Sequence, residues 1–113
     1  EKWFQKKNDW LDQLVKNPLS FLDGFSNASR TELGELFGFL IEWVRDLMIF
    51  SATGDIQNVI HADRLVLIGS ASRARDFESW LELFEQLNLL QKSLDDYANQ
   101  KLTLTQAEIL FCK

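Results

Sequence analysis

The sequence predicts an all-α fold, a single compact bundle of five to six helices in one domain over residues 1–113. Its single Pro and five Gly leave little material for the many tight turns of a sandwich or barrel. Apolar residues recur at steps of three and four along several long segments, which is the spacing of an amphipathic helix. No linker rich in Pro, Gly or Ser divides the chain. Its 113 residues therefore suit one hydrophobic core.

The first helix is predicted over residues 2–16. Trp10 and Leu14 lie on one helical stripe there, while lysines and aspartates fill the other face. Asn17 can then cap a helix, and the ring of Pro18 fits a first helical position. A brief second helix, or a single turn followed by a loop, should come next.

The third segment begins with Ser29 and Glu32, which have the spacing of a capping box. A long helix should run from about residue 31 until Gly54 ends it. Its apolar residues form two stripes, Leu33, Phe37, Leu40, Val44 and Leu47 on one and Leu36, Phe39, Trp43 and Phe50 on the other. Because two of its sides are apolar, we expect this helix to lie in the middle of the bundle.

An irregular link is predicted over residues 56–62, followed by Asp63 as the N-cap of a short helix through Ile68. The β-branched residues of this segment also permit a strand. We reject the strand, because one short apolar run has no second strand with which to pair its backbone.

The remaining chain should form two helices. Asp76 can cap a long one that reaches about residue 98. Its two apolar stripes contain Phe77, Trp80, Phe84 and Leu87 on one side and Leu83, Leu90, Leu94 and Tyr97 on the other. The last helix is expected to begin near Thr103, because Thr103 and Thr105 each stand three residues before a capping-box partner.

The charge of the chain argues against binding to nucleic acid. Its formal net charge is −5 and its pI is near 4.8, whereas nucleic-acid affinity depends on Lys and Arg that neutralise phosphates. The longest apolar stretch, over residues 36–50, is interrupted by Glu42, Arg45 and Asp46, so no membrane span is expected. Cys112 is the single cysteine, so no internal disulfide can form, and a cytoplasmic location is the expectation.

The sequence offers no recognisable catalytic, cofactor or metal site. A zinc site needs several thiolates or imidazoles, and only His61 and Cys112 are present, 51 positions apart. Paired carboxylates such as Glu82 with Glu85 stand on polar helix faces and should be solvated. No Gly-rich phosphate loop is found. The doubled apolar stripes of both long helices exceed what a few short partners can cover, which favours a surface for other proteins.

One segment resembles a known family. Residues 43–48 read Trp-Val-Arg-Asp-Leu-Met and are similar to the Trp-Leu-Arg-Asp-Leu-Leu segment in the C-terminal domain of the delta prime subunit of bacterial DNA polymerase III. The link at 55–58 and the segment 97–102, which contains Asn99 and Leu102, resemble later parts of that domain. The last such part is the closing helix at 106–111, so the match covers residues 36–111. Ala107 and Glu108 depart from the family pattern.

The resemblance implies a role in DNA replication. In that family the domain is a helical collar that holds the subunits of the sliding-clamp loader together, while a separate N-terminal ATPase-like module contacts nucleotide and clamp. It implies that this chain is the C-terminal fragment of a longer protein and that its partners are other clamp-loader subunits. No enzyme activity, cofactor, nucleic acid, membrane or small-molecule substrate is implied for the domain. The parent complex would be a DNA-directed DNA polymerase.

The interface and structural candidates are Trp43, Arg45, Asp46, Trp80, Asn99 and Leu102. Charged groups inside an apolar helix are costly to bury without partners. We therefore predict that Arg45 or Asp46 bonds to the turn at 99–103, the alternative being that both emerge on a solvated edge. Two other interpretations remain, an unrelated helical adaptor or regulatory domain and a small helical enzyme. The enzyme lacks a catalytic constellation.

Overall fold

The computed structural model describes residues 2–54, 65–95 and 100–111, with side chains described over 5–54, 66–94 and 103–111. The predicted all-α class is confirmed, since these residues form helices and turns without a strand. Six helices are found in these ranges: α1 (Lys2–Lys16), α2 (Pro18–Asp23), α3 (Arg30–Thr53), α4 (Leu65–Ser72), α5 (Phe77–Asp95) and α6 (Gln100–Phe111).

Two helices begin at the caps that the sequence predicts. The Asn17 side-chain oxygen accepts a hydrogen bond of 3.2 Å from the backbone N–H of Ser20, so α2 is a helix. At the start of α3, the Ser29 N–H donates to Glu32 Oε1 at 3.0 Å and the Glu32 N–H donates to Ser29 Oγ at 3.2 Å. The backbone hydrogen bond from Ser29, followed by that from its hydroxyl, lowers the pKa of Glu32.

The ends of the two long helices also follow from local chemistry. Gly54 has φ +67°, a left-handed conformation that a residue with a Cβ rarely adopts, and its N–H donates to the Phe50 carbonyl at 2.8 Å. Asp76 caps α5, because its carboxylate accepts from the Ser79 N–H at 2.8 Å. Asp95 is the last described residue of α5, so the predicted extension to residue 98 lies outside the described chain.

The two shorter predictions near α4 and α6 have different outcomes. The segment from Leu65 is a helix, which confirms the prediction that this apolar run is not a strand. Its proposed cap, Asp63, lies outside the described residues, as does the link at 56–62. The predicted start of the last helix at Thr103 is wrong, since α6 begins at Gln100. Gln, Lys and Leu are good helix formers, so the three residues before Thr103 extend the helix upstream.

The chain divides into two compact units. The first contains residues 1–36 and 90–113, so it holds α1, α2, α6, the start of α3 and the end of α5. The second contains residues 37–89, with α4 and the larger parts of α3 and α5. Within the first unit α2 packs against both α1 and α6. That the chain forms a single domain stays a prediction.

The core contains most of the apolar stripes that the sequence predicts. All five residues of the first α3 stripe, from Leu33 to Leu47, are buried. Phe77 of the predicted α5 stripe is 40% exposed instead, and Val15, next to Leu14 of the α1 stripe, is 44% exposed. Val15 lies in the last turn of α1 and Phe77 is the first residue of α5, so both stand where a helix leaves its packed surface. Isolated exposed apolar side chains are common on soluble proteins.

Candidate functional site

The Trp43–Asp46 segment of α3 lies largely inside the second unit. Trp43 is 3% exposed and Asp46 is fully buried, as expected for residues three apart on one helix face. The Arg45 side chain is 41% exposed, and its Nη1 lies 3.8 Å from Asp46 Oδ1. Asp46 has at least one further interaction. The guanidinium group of Arg45 is thus partly hydrated, whereas the carboxylate of Asp46 beside it is shielded from water.

This geometry rules out a solvated edge for Asp46 but not for Arg45. The turn predicted at 99–103 is wrong from Gln100 onward, because residues 100–103 belong to α6. The predicted bond from Arg45 or Asp46 to this segment stays a prediction, because Asn99 lies outside the described residues. Leu102 belongs to α6, but its side chain is not among those described. Thr103 is 4% exposed and has an interaction partner.

Trp80, the remaining candidate, connects α5 to the end of α4. It is 5% exposed, and its Nε1–H donates to the Ser72 carbonyl at 3.0 Å. The Arg75 guanidinium lies 5.4 Å from the Trp80 ring centre, and Arg75 Nη1 is 3.4 Å from Ser79 Oγ. The indole is therefore buried with its polar group satisfied, which is a stabilising role in the fold.

A cluster of three aromatic rings joins α1 to α2 in the first unit. The ring of Trp10 lies 6.1 Å from that of Phe21 and 5.3 Å from that of Phe25, and the two phenylalanine rings are 5.4 Å apart. All three pairs are edge-to-face, an arrangement that adds attraction to simple burial. Lys6 Nζ stands 4.9 Å from the Trp10 ring centre and 3.8 Å from Glu35 Oε2. The cluster is therefore held from several sides.

This cluster forms part of an open groove with a volume of about 660 Å³. The groove, called the aromatic groove below, is lined by Trp10, Gln13, Lys16, Asn17, Ser20, Phe21, Gly24 and Phe25. Its lining combines apolar rings with hydrogen-bonding groups and one cation, Lys16. Sequence patterns did not reveal it, because Trp10 and Phe25 are 15 positions apart and no local pattern links them. The high aromatic content was the only sequence signal.

A second, smaller cavity of about 290 Å³ also lies in the first unit. It is lined by Arg30, Thr31, Gly34, Gln91 and Leu94. At the start of α3, beside this cavity, the capping box occupies the N–H groups of Ser29 and Glu32.

Other groups considered from sequence give no site in the described part of the chain. No group of three or more His, Cys, Asp or Glu residues there could hold a metal ion. His61 and Cys112 lie outside it. Glu82 and Glu85 are exposed, as expected for solvated carboxylates. Among the described helices, none is sufficiently long and apolar to cross a membrane.

A carboxyl group of α6 has a raised pKa. Burial, and secondly the negative charge of Asp23, raise the pKa of Glu108. Asp23 ends α2 and Glu108 lies in α6, so two like charges meet where these helices pack. The ionised Glu108 carboxylate is therefore a local electrostatic cost.

Comparisons of this chain with protein-family models, with curated proteins and with solved structures find no match. The class that the geometry itself defines is an all-α protein that has an open aromatic groove and a Trp-x-Arg-Asp segment in which Trp43 and Asp46 are buried.

Proposed function

We propose that this chain is a protein-interaction domain in DNA replication, of the kind that forms the collar of the bacterial sliding-clamp loader. The observation that supports the proposal most is the inward placement of Trp43 and Asp46 with Arg45 at the surface. In such a motif the buried residues Trp43 and Asp46 would fix the packing of α3 inside the domain. Its exposed arginine would then be available to a neighbouring subunit.

The surface chemistry agrees with a role in association. Large apolar side chains are exposed at Val15, Leu19, Val66, Phe77, Leu89 and Ile109. Val66 is the extreme case at 87%. Apolar and arginine side chains are the groups that subunit interfaces commonly use. In this proposal the domain binds other clamp-loader subunits in the cytoplasm and contributes no catalysis, cofactor or DNA contact of its own.

The test is reconstitution with the clamp-loader ATPase subunits of the source organism. We expect the folded protein to co-purify with the ATPase subunit through size exclusion. The Arg45→Ala variant should weaken this association, while Arg73→Ala, a matched removal of an exposed arginine from the turn before α5, should not. Circular dichroism of both variants controls for folding.

The alternative is an unrelated all-helical adaptor or regulatory domain, which the exposed apolar side chains support equally well. Failure of the folded protein to associate with any clamp-loader subunit would reject the collar and favour this alternative. Association that is unchanged in Arg45→Ala would keep the collar but remove the exposed arginine from its interface.

A further inference from the structure

We propose that the aromatic groove of one copy of this protein binds the exposed face of α5 of a second copy. That face, called the α5 face below, consists of Glu78, Glu82, Glu85 and Leu89, all of which are exposed. The inference does not depend on the collar assignment.

The groove has different chemistry at its two ends. Trp10 and Lys16 are six residues apart on α1, about 9 Å along the helix axis. The rings of Trp10 and Phe25 define an apolar end, and the exposed ammonium of Lys16 defines a cationic end. A ligand with a matching apolar group and anion about 9 Å apart would satisfy both.

The α5 face carries the two matching groups, an exposed apolar side chain and carboxylates whose charge is opposite to that of Lys16. Its residues follow one another by 4, 3 and 4 positions, so they share one side of the helix. Leu89 is 58% exposed. Glu82 precedes it by seven residues, about 10.5 Å, which is close to the separation of Trp10 and Lys16. With Leu89 packed against the exposed surface of the Trp10 and Phe25 rings, Glu82 would reach Lys16.

Charge selects a second copy as the occupant. Helix α1 has four lysines and two aspartates, a charge of 4 − 2 = +2, although the whole chain has −5. Helix α5 has one lysine and four carboxylates, a charge of 1 − 4 = −3. In the described part of the chain neither Lys16 nor any glutamate of the α5 face has an ion-pair partner. The protein thus carries both halves of a complementary contact.

The predicted association has a definite character. The groove and the α5 face are different surfaces, so the contact is heterologous and can extend beyond a dimer. A single helix face in one groove is smaller than a standard stable interface, so the affinity should be weak. Because the charged residues are exposed, association should weaken as salt rises from about 0.05 M to 1 M.

The first experiment is sedimentation equilibrium on the protein at concentrations up to about 1 mM. We expect average mass to rise with concentration at low salt. Lys16→Glu, and separately the double variant Glu82→Lys with Glu85→Lys, should each weaken association about tenfold or more. Arg73→Glu makes the same charge change as Lys16→Glu on an exposed turn and should leave association unchanged.

Mixing the variants tests the pairing directly and does not rely on loss alone. Equal amounts of Lys16→Glu and the Glu82→Lys, Glu85→Lys variant restore opposite charges across the contact, so mixed oligomers should form where each variant alone is monomeric. Circular dichroism must show that both variants are folded. A wild-type protein that stays monomeric, oligomers insensitive to either charge reversal, or a mixture that fails to associate would each overturn the proposal.

Discussion

Two tryptophans, Trp10 in the first unit and Trp80 in the second, show how the same residue type serves different purposes. Trp80 is 5% exposed, and the Ser72 carbonyl accepts its indole N–H. Trp10 is only partly buried, and its ring forms a wall of an open groove. A buried tryptophan with a satisfied polar group stabilises a fold, whereas an accessible one is suited to binding. The contrast places the candidate binding surface on α1 and α2.

Two ion pairs of the described chain repeat this contrast at equal length. Lys6–Glu35 in the first unit and Arg45–Asp46 in the second both measure 3.8 Å. The Glu35 side chain is 42% exposed, while that of Asp46 is fully buried. The two ion pairs should therefore differ in their contribution to stability despite their equal distances, because a buried carboxylate depends on its partners and an exposed one is hydrated.

The largest expected effect compares the two tryptophans directly. Trp80→Ala should lower the free energy of unfolding by about 3–5 kcal/mol, because it empties a buried site and leaves the Ser72 carbonyl unpaired. Trp10→Ala removes a ring that is only partly buried and should cost about 1–2 kcal/mol. Urea denaturation of both variants gives the two values. Equal losses would mean that Trp10 is as structural as Trp80 and would break the comparison.

The second prediction compares the two carboxylates. Asp46→Ala should cost about 1–3 kcal/mol, since it removes a fully buried charge from its interactions. Glu35→Ala, the matched change in the exposed pair, should stay within about 0.5 kcal/mol. Thermal and urea unfolding measure both. A loss under about 0.5 kcal/mol for Asp46→Ala would show that its burial has little energetic weight.

These contrasts also show which features the sequence could predict. Helix starts at Asn17, Ser29 and Asp76 depend on hydrogen bonds within three residues, so short patterns predicted them. The start of α6 lies at Gln100 and not at Thr103, because Thr103 and Thr105 have capping-box spacing but stand inside the helix. The aromatic groove was missed for a different reason. It depends on rings 11 to 15 positions apart that only the packing of α1 on α2 brings together.

The third prediction tests the capped start of α3 in the first unit. Ser29→Ala should cost about 1 kcal/mol, the usual contribution of an N-cap side chain. The Ser29 hydrogen bonds lower the pKa of Glu32 in the folded state, so the stability linked to this carboxylate is present above its unfolded pKa. It is lost as pH falls through the folded pKa. The cost of Ser29→Ala should therefore shrink in acid.

Urea unfolding of Ser29→Ala against wild type at neutral and acid pH measures this difference. Thr31→Ala changes another exposed hydroxyl in the first turn of the helix, outside the cap, and serves as the control. A cost that does not change with pH would separate the serine hydroxyl from the ionisation of Glu32.

The smallest effect concerns the attachment of α2, one wall of the aromatic groove, to α6. The pKa of Glu108 is raised in the folded state, so the folded protein binds more protons than the unfolded chain and stability falls as pH rises through that pKa. At neutral pH the ionised Glu108 carboxylate therefore lowers the free energy of unfolding, by an amount that solvent screening keeps small. Glu108→Gln should raise the free energy of unfolding by less than about 0.5 kcal/mol, and the gain should vanish in acid. Hydrogen exchange should show slower exchange in α2 and α6. Glu85→Gln, the same change at an exposed position of α5, should leave exchange in both helices unaltered. Slower exchange that is confined to the second unit would instead mean that the Glu108 charge does not affect the packing of α2 against α6.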